Sequence, residues 1–121
     1  MNFVLVEKLV VTRTVKVLVP DHENPDAYRE QTFKAVFNVV PADEAREMDK
    51  AYLALPVEER DAHEHDFLRR ALAGWEGVED ASGSPVTFTP AALDQALKFP
   101  WFAKGVYAAY RDMATGARAG N

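Results

Sequence analysis

His63-Glu64-His65-Asp66 places two imidazoles and two carboxylates in consecutive positions. These are residue types that ligate transition metals. The spacing works against a shared ion. On a helix, residues two apart point in very different directions, so His63 and His65 diverge. His63 and Asp66 share a face, but no third ligand is spaced near them. A solvated helix face is the expectation. A small metal-dependent enzyme using His63, His65 and Asp66 is the alternative.

Other chemistry-bearing groups are weaker. Asp80-Ala81-Ser82-Gly83-Ser84 lacks the alternating acids and closing glutamate of a calcium loop. Glu76, Glu79 and Asp80 lack a nearby His or Lys for acid–base work. Ser82 and Ser84 lack the strand–turn–helix setting of a nucleophile elbow. There is no phosphate-cradling glycine loop. No catalytic residue, metal or cofactor is expected.

The elements that must carry these groups follow from patterning. The 121 residues suit one domain, long enough to bury roughly two thirds of the unfolded surface. Net charge of −5 argues against a nucleic-acid partner, which usually demands a basic face. The chain has no cysteine, so it holds no disulfide, thiolate nucleophile or Cys-ligated zinc. The apolar start, Met1 to Val6, is short and lacks a basic lead-in. No run reaches the ~18 to 20 apolar residues of a membrane span. The expectation is a soluble, intracellular protein.

Val10 to Val19 alternates with period two, Val11, Val15, Val17 and Val19 sharing a face interrupted by Arg13. Gln31 to Val40 does likewise, with Phe33, Ala35, Phe37 and Val39 together. These predict an antiparallel hairpin over 10–40 with a long polar loop. Ala45, Met48, Tyr52 and Leu55 predict a first helix from Pro41 to about Ala54. After Pro56, a second helix is expected from Val57 to about Ala73. Pro90 to about Lys98 and Trp101 to about Thr115 complete four helices, with Asp94 and Lys98 a candidate surface pair. Residues 116–121 are expected to fray.

Between the second and third helices lies Gly74 to Phe88. Gly74 is placed to stop a helix. Trp75, Val78, Val86 and Phe88 are apolar anchors around a turn at Asp80–Pro85, so 74–89 reads as a docked loop. Thr89-Pro90 has the cap and first-turn proline of a helix start. Trp75, Phe88, Phe102 and Tyr110 are expected in the core. Trp101 and Tyr107 lie off the apolar stripe and are candidates for exposure. An apolar groove flanked by the last two helices, with Leu97, Phe99, Trp101, Phe102 and Tyr107, could receive an amphipathic helix.

The motif Gly74-Trp75-Glu76-Gly77-Val78-Glu79-Asp80, followed by Gly83, Pro85-Val86, Phe88, Pro90, Leu93 and Ala109-Tyr110, resembles the tail assembly chaperones of long-tailed bacteriophages and prophages. The resemblance spans roughly Val15 to Tyr110 and is most specific from Trp75 to Pro90. It implies a protein of the bacterial cytoplasm that binds the tape measure protein and helps recruit tail tube subunits, without catalysis. It also implies the short form of a product that many members extend by ribosomal slippage. Asn2 to Val11 departs from the family pattern; that stretch would extend the hairpin or mediate self-association. A structural tail protein of the virion, or a metal-dependent prophage enzyme, is the alternative. The expected fold is α+β: an N-terminal antiparallel hairpin on a bundle of about four helices, with neither nucleic acid nor membrane as partner.

Overall fold

The computed structural model describes residues 1–116. The frayed-tail expectation falls mostly on 117–121, outside the described residues. Strands β1 (Val10–Pro20) and β2 (Tyr28–Asn38) form the antiparallel hairpin, pairing from Val10↔Asn38 to Pro20↔Tyr28. The alternation works as the sequence demands. Val15, Val17, Phe33, Ala35 and Phe37 turn to one face and are buried. Burial of each larger apolar side chain contributes about 1.5–3 kcal/mol. Thr12, Thr14, Lys34 and Glu30 take the opposite, open face.

Among the described residues five helices follow: α1 (Ala42–Ala54), α2 (Val57–His63), α3 (Asp66–Ala71), α4 (Pro90–Leu97) and α5 (Pro100–Ala114). Their buried residues pack on the apolar face of the sheet. The single second helix expected over 57–73 is instead α2 and α3, broken at Glu64-His65. The break lets α3 turn Leu68 and Ala71 fully into the core.

The docked-loop boundary is also corrected. Leu72–Glu76 is a third strand, β3, added to β2 in the order β1-β2-β3. Gly74 therefore sits inside a strand opposite Val36 and does not stop a helix. The helix ends earlier, where the Leu72 N–H returns to Leu68 O and the chain extends directly into β3. Trp75 then lies beside Ala35 on the core face.

Beyond β3 the chain docks as the sequence indicates. Trp75 Nε1–H donates to Val86 O at 2.7 Å, and the indole meets Phe88 and Phe33 edge-on. Val86 N–H donates to Val78 O at 2.8 Å, closing a small hairpin. Its tip is a plain turn. Asp80 Oδ1 accepts from Ser82 N, Ser84 N and the Ser82 hydroxyl. Those bonds, the Ser82 side chain's foremost, hold the Asp80 carboxyl below its ordinary range. Gly83 takes φ +85° there, which a side chain would resist. Thr89 caps α4 as expected, its hydroxyl accepting from Ala92 N at 3.0 Å.

Helix α5 is the principal cover of β1. Phe102, Ala103 and Val106 are its buried face. Phe102 stacks on Phe33 at 5.5 Å, and Tyr110 meets Phe37 edge-on. The Tyr110 hydroxyl accepts the Val40 N–H at 2.9 Å, pinning the end of β2 to α5. No helix among the described residues is long and apolar enough to cross a membrane.

Candidate functional site

Pro100 shapes an exposed aromatic feature at the joint between α4 and α5. A residue before proline avoids helical geometry, so Phe99 is extended at φ −102°, ψ 117°. This throws its ring outward, 50% exposed, at the joint between α4 and α5. Trp101 lies beside it, ring centroids 5.3 Å apart at 30°. The pair forms an aromatic shelf with an apolar cleft on each side. One cleft, ≈ 360 Å³, runs over Val17, Val19, Val78 and Phe102. The other, ≈ 660 Å³, runs over Leu18, Pro20, Tyr28 and Ala108. Trp101 walls both.

The five residues assigned to a groove are thus divided. Phe99 and Trp101 are together at the surface. Leu97 and Phe102 are buried at 6% and 9% exposure and support the shelf from below. Tyr107 is elsewhere. Six positions beyond Trp101 on α5, it comes out on another side of the helix, against α1 and α3. Neither Trp101 nor Tyr107 is fully exposed; both pack against the core.

Tyr107 instead meets the histidine segment. His65 Nδ1 lies 3.2 Å from the Tyr107 hydroxyl, and their rings are 5.9 Å apart. Burial foremost, then the Glu64 carboxylate, pushes the Tyr107 hydroxyl above its ordinary value. No local pattern joins positions so far apart in sequence; only tertiary packing does. His63 turns away and bonds Asp66 Oδ2 through Nδ1 at 2.7 Å. The other Asp66 oxygen accepts from Arg69 at 2.8 Å, and Arg69 also bonds Asp94 at 2.8 Å. Asp94 therefore pairs with Arg69, and not with Lys98 as its helical spacing suggested. Both Asp66 oxygens are engaged, and the two imidazoles serve different partners. Among the described residues no group of three or more His, Cys, Asp or Glu could hold a metal ion.

A third cleft, ≈ 610 Å³, opens between α1 and this segment. Ala45, Met48, Tyr52 and Leu55 line it from α1, Phe67 and Tyr107 from the other wall. Separately, the arm before β1 is open to solvent. Phe3, Val4, Leu5 and Val6 are 87%, 71%, 86% and 51% exposed. It joins the sheet at Leu9, whose carbonyl accepts the Val39 N–H at 2.9 Å.

Compared with known proteins, the chain matches no family model, no curated protein and no solved structure.

Proposed function

We propose that this chain is a binding protein of phage or prophage tail assembly, a chaperone that grips the tape measure protein and helps recruit tail tube subunits. The observation that carries the binding role is the Phe99–Trp101 shelf. Two large rings are held at the surface by a proline-forced joint, between two apolar clefts. Aromatic side chains so placed are typical anchors of protein interfaces. The motif from Trp75 to Pro90 supplies the narrower assignment through its resemblance to tail assembly chaperones. The shelf holds the apolar stripe of a client helix, and many weak contacts along one long client add up through avidity.

The test is binding of the purified chain to the tape measure protein of the same phage, by calorimetry. Phe99→Ser removes an exposed ring and leaves the core intact; Trp101→Ala removes its neighbour. Each should weaken binding about tenfold or more, as for interface anchors worth ~2 kcal/mol. Unchanged affinity in both variants removes the shelf from the interface. No binding by the wild-type chain rejects the chaperone reading.

A further inference from the structure

We propose that the cleft between α1 and the α3–α5 layer is a second docking groove, and that its occupant is a basic amphipathic helix. The floor argues for a helix. Ala45, Met48, Tyr52 and Leu55 recur at three- and four-residue steps, yet no residue of α1 is buried. An apolar stripe on a surface helix normally closes against its own core. Here it closes only in part, and Phe67 and Tyr107 face it across open space of ≈ 610 Å³. The stripe from Ala45 to Leu55 runs about 15 Å, some three turns of a partner helix. Both walls are helices whose backbone groups are spent internally, so an added strand would find no ladder to join.

The rims argue for positive charge. Asp49 stands on α1, and Glu64 stands across the cleft at the α2–α3 joint. Both are exposed, and no Lys or Arg is among the lining residues. Asp66 adds a third carboxylate, bonded by His63 Nδ1 and partly neutralised by Arg69. An apolar stripe flanked by Lys or Arg would lay its stripe on Met48, Tyr52 and Phe67 and its charges on the two rims. This groove is separate from the Phe99–Trp101 shelf and stands whether or not that shelf binds a tape measure protein.

The probe is a fluorescein-labelled helical peptide of Leu and Lys, Leu at i, i+3, i+4 and i+7, with a Leu/Glu peptide of the same stripe as counterpart. Anisotropy should show the Leu/Lys peptide binding the full chain at least tenfold more tightly. Asp49→Lys with Glu64→Lys should abolish that preference. Glu47→Lys with Glu58→Lys, the same charge change outside the cleft, should largely keep it. Amide shifts on binding should cluster at Met48, Tyr52, Phe67 and Tyr107. Equal affinity for the two peptides, no binding, an equal loss in both double variants, or shifts confined to Phe99 and Trp101 would each overturn the proposal.

Discussion

Gly105 sits mid-way along α5, where glycine is ordinarily a weakness. In a helix interior Gly→Ala gains ~1 kcal/mol of helix propensity. Here the sign should reverse. A Cβ at position 105 would lie 2.5 Å from the Lys16 carbonyl oxygen and 3.3 Å from Val17 Cγ2. Lys16 O is main chain on the outer edge of β1 and cannot swing aside as a side chain would. Relief therefore requires α5 to lift from β1 until that contact exceeds 3.0 Å, a shift of at least ~0.5 Å. A gap of ~0.5–1 Å forfeits a quarter to a half of each van der Waals contact it opens. Phe102, Ala103 and Val106 share that face, so the loss spreads along the helix. Overpacking costs about 1–3 kcal/mol, and a site this unyielding belongs near the top of that range. Less the propensity gain, Gly105→Ala should destabilise by ~2 kcal/mol. The control is Gly74→Ala. Its Cβ would meet Val36 Cβ at 3.8 Å, an ordinary contact, so it should gain ~0.5 kcal/mol by restricting the unfolded chain. Urea unfolding reads both, as opposite shifts of midpoint at unchanged slope. A Gly105→Ala protein as stable as the parent would refute the close seating of α5 on β1.

Two further outcomes follow from named contacts. Tyr110→Phe deletes the acceptor of the Val40 N–H while keeping the ring against Phe37 and Phe67; leaving that part-buried donor unpaired should cost ~1–3 kcal/mol in the same assay, and a loss below ~0.5 kcal/mol would show water replacing the hydroxyl. The Asp21 carboxyl, held chiefly by the Glu23 N–H and then by the Asn24 amide, is lowered from 3.8 to about 2. Its folded value is below its unfolded one, so its support of the 21–27 loop is full above 3.8 and is lost as pH falls through about 2. Carboxyl NMR titration checks this, and a midpoint at or above 3.8 would refute it.

What could be read in the sequence was what local physics decides. The hairpin followed from period-two alternation, the start of α4 from Thr89-Pro90, and the α4–α5 joint from Phe99-Pro100. Strand β3 was hidden because Leu72-Ala73-Gly74-Trp75-Glu76 has no β-branched residue and contains what looks like a helix terminator. Its extended form comes from pairing with β2, a tertiary term that local propensity does not carry. The break between α2 and α3 was hidden because Glu64-His65 carries neither proline nor glycine. Of the candidate site, Phe99 and Trp101 were placed by sequence in one groove with Tyr107, and the structure sets those two rings side by side. The place of Tyr107 was not legible: it depends on α1 and α3 arriving from elsewhere. Arg69 took Asp94 from Lys98 because α3 and α4 are neighbours in space, which helical spacing alone cannot report.

The distribution of exposed apolar surface along β1 bears on how many partners this chain can hold. Phe3 to Val6 extend before Val10, while Leu18 and Tyr28 lie with Pro20 at the other end, in the cleft that Trp101 walls. Val10 to Pro20 spans about 33 Å of strand. One partner helix of ordinary length would have to run along the whole strand to touch both patches, and the open face between them carries Thr12, Thr14, Lys16 and Lys34. A polar interval of that kind separates two interfaces more naturally than it joins the halves of one. On the proposed reading the arm and the shelf would be independent contacts, so self-association through Phe3–Val6 would leave Phe99 and Trp101 open to a client.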